Sequence, residues 1–462
     1  MSESKPPLAS GKLPLNGELT AAACYIILTA AFLGWMFSGF QMAVMTLCAR
    51  SATTEFLRHG QLTAQEPLRL ARLWSPPPIR ETSTATILSE AKALQSLVPR
   101  WFSWYNAAFL FGAASGGLAF GWLGDRIGRV RAMATSIVCF SLFSGFGYAV
   151  ASPEQLLALR FLSGMGVGGM WPTGVALAAE AWSDASRPLV AGVLGTAANV
   201  GLVIFNTIGY YYPVSPDSWR WTMLICGSPL LLGALVLFCV PESPRWLAAQ
   251  AVVRSAKGQV SVASVFRQPL LGRTLIGIAL GTIPLLGGWG ATQWLVAWAD
   301  KVGGVTDPRA KALTAIMRSG GGAVGSLLGG WVASLLGRRL AYFLISVASL
   351  AVGEYVCLAM TPADRTFPAM VFAVGFISTI FFGWLPLYLP ELFPTHARST
   401  GAGVSFNFGR ILTGLGVLAT GAITAALHED YGRAGSIAML VYAVGMIVIL
   451  FAPDTTKDKL KD

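Results

Sequence analysis

Four ionisable residues stand well inside long apolar runs of the chain: Arg160, Arg318, Glu354 and Arg410. If such a run crosses a bilayer, a charge at its centre costs about 2.5–3.5 kcal/mol even on the lenient insertion scale. Three arginines exposed to lipid would cost roughly 8–10 kcal/mol, which is comparable with the stability of a whole protein. We therefore expect these side chains to face the interior of a helix bundle or a watery cavity.

Arg318 and Arg410 both fall near the middle of their runs. Arg410 lies nine residues beyond Gly401, or about 14 Å along a helix axis, which is about half the depth of a ~30 Å bilayer core. No acidic residue stands near either arginine in the sequence. Because a guanidinium binds a carboxylate through two parallel hydrogen bonds, the pair predicts a site for a small organic anion. The alternative for each is a packing role in which backbone carbonyls satisfy the guanidinium.

The other two embedded charges are less central. Arg160 lies only about 10 Å into its run, and we expect it to pack against other helices. Glu354 is the single acid well within the runs and lies about 21 Å along its own. Two roles remain open for Glu354: it carries a coupling proton, or it is the structural partner of an arginine.

The apolar runs predict an all-α polytopic membrane protein. The chain has 54% hydrophobic and 12% charged residues, whereas soluble domains carry about 25% charged residues. Each run approaches the ~20 residues that cross a bilayer. The predicted spans are 21–48, 101–123, 132–151, 155–178, 188–212, 219–240, 271–298, 310–336, 340–360, 367–389, 400–427 and 434–452.

Twelve spans place both chain ends on the same side of the membrane. Lys and Arg are more numerous in the segments on that side, so we expect both termini in the cytoplasm, in the plasma or inner membrane. The net charge of +11 then reflects orientation rather than nucleic-acid binding. The predicted organisation is a cytoplasmic tail (1–20), a six-helix half (21–241) with an external loop (49–100), a cytoplasmic linker (242–270), a second half (271–452) and a cytoplasmic tail (453–462).

A short charged turn, "GWLGDRIGRVRA" at 121–132, has a counterpart in the second half. Shifting the sequence by 209 residues places 112–132 on 321–341, where nine of the 21 aligned residues are identical. A shift of 211 places Glu180 on Glu391 and Arg187 on Arg398. Ordered matches at a nearly constant shift predict two pseudo-symmetric halves, as in transporters whose repeats are related by an axis along the membrane normal.

These motifs resemble those of the major facilitator superfamily along essentially the whole chain. "GWLGDRIGRVRA" resembles its loop 2–3 signature, and "GGWVASLLGRRLA" is a weaker copy in loop 8–9. "PESPRWL" at 241–247, with the two Glu–Arg pairs, resembles the cytoplasmic motifs of the sugar-porter and sialate or organic-acid branches. The resemblance implies a twelve-helix fold in two six-helix halves and transport by alternating access.

The charged turns are predicted to form a gate at one membrane face. Charges of both signs in each half can pair across the interface when the cavity opens outward, and an inward opening would separate them. Exposed pairs contribute only about 0–1 kcal/mol each, but a network can bias a two-state equilibrium of a few kcal/mol. The alternative is that these charges only set topology. The predicted gating residues are Asp125, Arg129, Glu180, Arg187, Glu242, Arg245, Arg338, Glu391 and Arg398.

Three further residues, Gln41, Trp289 and Gln293, are candidates for the substrate site. In span 1, Gln41 and Ser38 stand where the resemblance to aromatic-acid and sialate proton symporters implies acidic residues. In span 7, "GATQW" at 290–294 faintly resembles a segment of fungal lactate permeases. Trp289 and Gln293 are four residues apart and share one helical face, which suits an aromatic wall beside a hydrogen-bonding group.

The leading interpretation is a secondary transporter that moves a small organic anion, with H⁺ symport implied by the resemblance. The alternatives are a carrier of a neutral, sugar-like solute and a membrane sensor that does not transport. An enzyme is not expected, because no nucleophile–base pair is present. We expect no cofactor and no metal, since the three histidines fall in different predicted loops. The expected partners are the lipid bilayer, the solute and a proton.

Overall fold

The computed structural model describes residues 19–59, 84–182, 187–243, 246–247, 262–303, 307–394 and 397–455. Its long elements are helices, which we number α1 to α12 by membrane span. The first half contains α1 (Ala21–Arg58), α2 (Thr84–Ile127), α3 (Arg129–Phe146), α4 (Pro153–Ala181), α5 (Arg187–Tyr211) and α6, which is broken into Trp221–Gly227 and Leu230–Cys239.

The second half repeats this order. It contains α7 (Leu271–Leu286, a π-helical turn at Gly287–Thr292, then Trp294–Gly303), α8 (Ala310–Leu336), α9 (Arg338–Ala359), α10 (Phe367–Glu391), α11 (Arg398–Ala426) and α12 (Tyr431–Met439 and Val441–Phe451). Ten helices of the described residues are long and apolar enough to cross a membrane. The predicted all-α membrane fold with two six-helix halves is confirmed.

The segment 49–100 is helical at both of its ends, since α1 continues to Arg58 and α2 begins at Thr84. The extra turns of α1 are stabilised by packing against the segment between α5 and α6. Phe56 is fully buried against the Trp219 ring, and the Glu55 carboxylate accepts hydrogen bonds from Trp219 and Arg220. The polar residues at the end of α1 therefore belong to a long helix and form its contacts with the rest of the first half.

Glycines set the close packing of each half, and they do so at equivalent positions of the repeat. A Cβ on Gly116 would lie 1.9 Å from the Met165 carbonyl oxygen, so α2 and α4 touch along their backbones. A Cβ on Gly325 would lie 2.0 Å from the Phe376 carbonyl oxygen, which joins α8 to α10 in the same way. The internal repeat in the sequence therefore corresponds to repeated helix contacts.

The two halves meet mainly through two helix pairs, α2 with α11 and α5 with α8. In contrast, α3, α6, α9 and α12 lie at the periphery and carry large exposed apolar side chains. Phe146, Phe238, Leu358 and Phe451 each expose more than half of their surface. Such side chains suit contact with lipid tails, which agrees with a multi-pass membrane protein.

The membrane face that carries the α2–α3 turn is called the loop 2–3 face below. That turn and its counterpart between α8 and α9 each contain a glycine with positive φ, Gly128 at 110° and Gly337 at 83°. Only glycine adopts this backbone region readily. The two glycines therefore allow the chain to reverse abruptly at each of these turns between helices.

Candidate functional site

A cavity of about 490 Å³ lies between the two halves. This volume is within the 300–1,000 Å³ range of small-molecule sites. Its wall comes from α1, α2, α4 and α5 of the first half and from α7, α8, α10 and α11 of the second. The peripheral helices contribute no described residue to it. Both predicted central arginines, Arg318 and Arg410, are among the lining residues.

Arg318 extends from α8 into this cavity, where its Nε has no hydrogen-bond partner in the described part of the chain. It stands at the position of the repeat that Phe109 occupies in α2. Its backbone carbonyl packs against α10, where a Cβ on Gly375 would lie 2.1 Å away. The backbone is therefore fixed by a close helix contact, and the guanidinium is available to a solute.

Arg410 extends from α11 and is 6% exposed. Its Nη1 donates to the Ala113 carbonyl of α2 and to Asn407 Oδ1, each at 3.2 Å, and its guanidinium lies 4.8 Å over the Phe406 ring. Arg410 thus combines the two predicted roles, since a backbone carbonyl satisfies part of the guanidinium while the side chain still lines the cavity. Among the described residues, no carboxylate forms an ion pair with either arginine.

The π-helical turn in α7 presents Trp289 and Gln293 to the same cavity. Such turns interrupt the regular helical ladder and often occur at functional sites. Gln293 is 3% exposed; its Nε2 donates to the Met42 carbonyl at 3.4 Å, and its Oε1 is buried without a partner in the described structure. The Trp289 ring lies 5.5 Å from the Phe109 ring across the interface.

Aromatic side chains form much of the remaining wall. Trp35 of α1 and Trp171 of α4 lie with ring centroids 4.8 Å apart, and both line the cavity. Together with the Phe109–Trp289 pair, they give flat apolar surfaces beside two positive charges. The lining, drawn from described residues, includes no Asp or Glu. The site therefore suits an amphipathic solute with a negatively charged group.

Gln41 does not line the cavity, contrary to its prediction as a substrate ligand. It is fully buried inside the first half, where its Nε2 donates to the Cys226 carbonyl at 2.8 Å and its Oε1 accepts from Ser144. Its amide is therefore already satisfied by α3 and α6. Arg160 is 2% exposed and donates to the Gln41 carbonyl at 2.9 Å, which agrees with the expected packing role.

Glu354 also lies away from the cavity. On α9 it accepts a hydrogen bond of 2.6 Å from Ser436 of α12, while its Oε1 has no partner in the described part of the chain. No described arginine forms an ion pair with it. Of the two roles left open by the sequence, the contacts favour a structural one, with a serine as the partner.

At the loop 2–3 face, the first half holds a compact charged cluster. Arg129 pairs with Asp125 and approaches Glu180 at 3.5 Å. Glu242 accepts backbone hydrogen bonds from Arg129 and Val130 at the start of α3, where a negative charge is favourable because of the helix dipole. A Cβ on Gly128 would lie 2.2 Å from that carboxylate, so glycine is also needed here for space.

The second half holds the matching cluster. Arg338 binds Glu391 through two parallel hydrogen bonds of 2.9 and 3.1 Å, and Thr455 donates to the same carboxylate. The ion pairs described at this face thus join residues of the same half. This arrangement is the one predicted for a protein open at the loop 2–3 face. Arg398 begins α11, whereas Arg245 and the side chain of Arg187 lie outside the described residues.

At the opposite face, charged residues connect the two halves. Arg50 of α1 donates to Glu429 at 2.9 Å and lies 3.4 Å from Asp300 of α7. Lys311 of α8 pairs with Asp300 at 3.2 Å and donates to the Val214 carbonyl of the first half. Lys301 approaches Glu429 at 3.6 Å. We call these five charged side chains, Arg50, Asp300, Lys301, Lys311 and Glu429, the Arg50 network.

The cavity is therefore closed at the face of the Arg50 network. Trp294 reinforces the closure by packing against Phe102 of the first half, with ring centroids 4.9 Å apart. Toward the loop 2–3 face, the lining extends to Ala176, Pro390 and Ala402, which lie near the ends of their helices. This network was not predicted from the sequence, because its residues lie at the edges of apolar runs, where charges ordinarily face water.

The family model of the Major Facilitator Superfamily matches residues 82–417. The chain belongs to this superfamily. The chain is therefore a membrane transporter and not an enzyme, as the sequence motifs predicted.

Similar proteins include other transporters. An inner membrane metabolite transport protein of Escherichia coli, YgcS, is 28% identical over 399 residues, covering 80% of this chain and 86% of the relative. A cis,cis-muconate transport protein of Acinetobacter baylyi is 29% identical over 311 residues, covering 65% and 73%. The crystal structure of a D-xylose-proton symporter matches with a TM-score of 0.66 and 18% identity, covering 95% of this chain and 99% of that one, which shows the shared fold.

Proposed function

We propose that this protein is a secondary active transporter of small organic anions. The observation that carries the proposal is the pair of arginines, Arg318 and Arg410, in an interfacial cavity whose described lining includes no acidic side chain. A carboxylate in this cavity gains charge-assisted hydrogen bonds that a neutral solute does not. Gln293 and Trp289 complete the proposed site as a hydrogen-bonding group and an aromatic wall.

The cavity walls support planar, partly apolar acids as the substrate class. The rings of Trp35, Trp171, Phe109 and Trp289 provide flat surfaces that bury an unsaturated or aromatic carbon frame. The relative named as a cis,cis-muconate transport protein supports the same class, because muconate is a planar dicarboxylate.

The proposed cycle exposes the cavity alternately at the two faces. The Arg50 network closes one face, and the charged clusters around Arg129 and Arg338 belong to the gate at the other. We place both termini and the loop 2–3 face in the cytoplasm of a plasma or inner membrane, as the Lys/Arg distribution favours. H⁺ symport is part of the proposal and is supported by the fold neighbour named as a proton symporter.

A neutral solute is the second candidate. It is favoured by the unpartnered Gln293 Oε1 and by Asn199, Thr292 and Thr379 in the lining, since uncharged polar groups also recognise hydroxyls. In that case the two arginines would serve packing, as Arg410 already does in part through the Ala113 carbonyl.

Uptake by proteoliposomes separates these candidates. Labelled planar carboxylates, aliphatic carboxylates and sugars are supplied with and without a pH gradient across the membrane. The proposal predicts uptake of planar carboxylates and accumulation that follows the proton gradient. Uptake confined to sugars would contradict the proposed anion transport. Carboxylate uptake that is the same with and without the pH gradient would contradict only the H⁺ coupling.

A further inference from the structure

Two hydrogen bonds join the halves at equivalent positions of the internal repeat. Arg410 Nη1 of α11 donates to the Ala113 carbonyl of α2 at 3.2 Å. Asn199 Nδ2 of α5 donates to the Gly322 carbonyl of α8 at 3.3 Å. The shift of 211 places Asn199 on Arg410, and the shift of 209 places Ala113 on Gly322. Each half therefore makes the same contact with the backbone of the other, once at each inter-half interface.

Small residues on the accepting helices make both contacts possible. A Cβ on Gly322 would lie 3.0 Å from Asn199 Oδ1, and a Cβ on Gly117 would lie 2.4 Å from Asn407 Oδ1. Asn407 is the residue that orients Arg410, because its Oδ1 accepts the second Nη1 hydrogen bond at 3.2 Å. Both interfaces are thus shaped to bring a polar side chain of one half onto the backbone of the other.

The two contacts differ in charge although they share a geometry. Asn199 is neutral, whereas Arg410 is a cation, and both line the cavity. Arg410 Nη1 carries two hydrogens, and both are taken by Ala113 and Asn407. A carboxylate that binds the guanidinium end-on needs one of them. Hydrogen bonds between two ions are stronger than those to a neutral acceptor, so an anion bound end-on competes with the Ala113 carbonyl for Nη1.

We propose that Arg410 and Asn199 are paired positioning residues that hold the halves together at the two interfaces, and that an anionic substrate releases only the Arg410 contact. The proposal rests on the anion transport proposed above. Binding then loosens α2 from α11 while α5 stays attached to α8. The halves separate first at the α2–α11 interface, which holds the charged Arg410. The neutral Asn199 contact at the α5–α8 interface remains as the pivot.

The test measures distances across each interface in the full-length protein in lipid nanodiscs. The spin labels are attached to genetically encoded noncanonical amino acids, so the buried cysteines need not be replaced. One pair of labels spans the α2–α11 interface and a second pair spans the α5–α8 interface. The probes are cis,cis-muconate and its uncharged diamide. In the wild type, muconate is expected to lengthen the α2–α11 distance and leave α5–α8 unchanged, while the diamide changes neither.

Arg410→Asn is the decisive variant, because asparagine can donate to the Ala113 carbonyl as Asn199 does to Gly322 but carries no charge. Its α2–α11 distance is expected to match the wild type without muconate and to show no change with saturating muconate. Arg318→Gln should keep the muconate response at higher concentration. Asn199→Leu should lengthen α5–α8 even without a probe. If Arg410→Asn does not fold, Arg410→Gln is measured in its place with the same expectation.

Two results would overturn this inference: a full muconate response in the Arg410 variant, or a wild-type response at α5–α8 instead of α2–α11. A wild type that binds muconate more tightly than the diamide but shows no distance change would also overturn it. Equal binding of muconate and diamide by the wild type would instead contradict the proposed anion transport itself, so the two failures are distinguishable.

Discussion

Arg318 and Arg410 reach the cavity in different ways, and this difference decides what each can do. Arg318 has a fixed backbone and an Nε without a partner in the described structure, so its side chain is free to meet a solute. Arg410 is held by Ala113 and Asn407 before any solute arrives. In the proposed site, Arg318 therefore contributes mainly affinity, while Arg410 links affinity to the contact between the halves.

Neutral substitutions at these two positions should weaken anion transport strongly. The loss of one charge-assisted hydrogen-bonded contact costs about 1.5–3 kcal/mol, or roughly ten- to 150-fold in affinity. Arg318→Gln and Arg410→Gln are each expected to show this loss in competition assays against a labelled carboxylate. Lysine should restore only part of it, because a point charge does not reproduce the planar fork of the guanidinium.

Arg160→Gln is the matched control for that measurement. It removes a buried arginine that the cavity lining does not include. We expect a lower unfolding temperature and an unchanged affinity of the folded protein. An Arg318→Gln protein with wild-type affinity would contradict the assignment of this residue to the substrate site.

Glu354→Gln tests the remaining embedded acid. Because Glu354 bonds Ser436 outside the cavity, we expect the variant to keep both counterflow exchange and accumulation driven by a pH gradient, with some loss of stability. Counterflow that persists while gradient-driven accumulation disappears would instead identify Glu354 as the coupling residue. Both assays use the same proteoliposomes, so protein insertion is controlled within the experiment.

The sequence predicts which residues are embedded better than it predicts what they contact. Arg318, Arg410, Trp289 and Gln293 all line the cavity, since a charge or amide in an apolar run has few other places to go. Gln41 shows the limit of this reasoning. Its amide is turned away from the cavity by Cys226 and Ser144, which are remote in the chain and invisible to a local pattern.

At the scale of the helices, glycine spacing fixes how closely neighbours approach. Gly116 and Gly121 lie on the same helix but differ in surroundings: a Cβ on Gly116 would meet the Met165 carbonyl at 1.9 Å, whereas one on Gly121 would meet nothing within 4 Å. Backbone cannot move aside as a flexible side chain can. The two positions therefore form a matched pair for testing the role of close packing.

Gly116→Ala should destabilise the protein by about 1–3 kcal/mol, the usual cost of overpacking, and Gly121→Ala should leave it unchanged or slightly more stable. Thermal unfolding in detergent, followed by fluorescence-detected size exclusion, measures both. Gly325→Ala should behave like Gly116→Ala, because the equivalent contact recurs in the second half. Equal stability of the Gly116 and Gly121 variants would contradict this account of the packing.

Helix positions followed from hydrophobicity, but helix ends did not. The predicted spans agree with α1 to α12 in order and number, because a run of ~20 apolar residues in a bilayer forms a helix that crosses it. The extension of α1 to Arg58 was not predicted, since it is stabilised by long-range partners such as Trp219, which donates a hydrogen bond to Glu55. The π-helical turn at Gly287–Thr292 was not predicted either, because the spacing of apolar residues does not indicate such a turn.

At the scale of the whole molecule, the charged residues at the two faces pair in different ways. The described ion pairs of the clusters at the loop 2–3 face each lie within one half, whereas Arg50 forms ion pairs across the two halves. Its acids are well protected: the Asp300 and Glu429 side chains are 9% and 3% exposed. The described conformation therefore depends on Arg50, the single charged side chain that the first half contributes to this network.

Arg50→Gln should shift the protein away from the conformation closed at that face. Loss of hydrogen bonds to charged groups costs about 1.5–3 kcal/mol, which changes a two-state ratio about tenfold or more. Accessibility of a probe placed in the cavity, measured from each side of sealed vesicles, reports the shift. Arg220→Gln is the control, because Arg220 pairs with Glu55 inside the first half. Equal accessibility in the two variants would contradict the role of the network.

Selection of an organic anion by the cavity can be measured on the unmodified protein by comparing an acid with its amide. Isothermal titration of the purified wild type with cis,cis-muconate and with the uncharged diamide keeps shape and carbon frame constant while removing charge. We expect tighter binding of the acid, by roughly tenfold or more, from contacts worth about 1.5–3 kcal/mol. Equal or tighter binding of the diamide would contradict it and would favour the neutral solute.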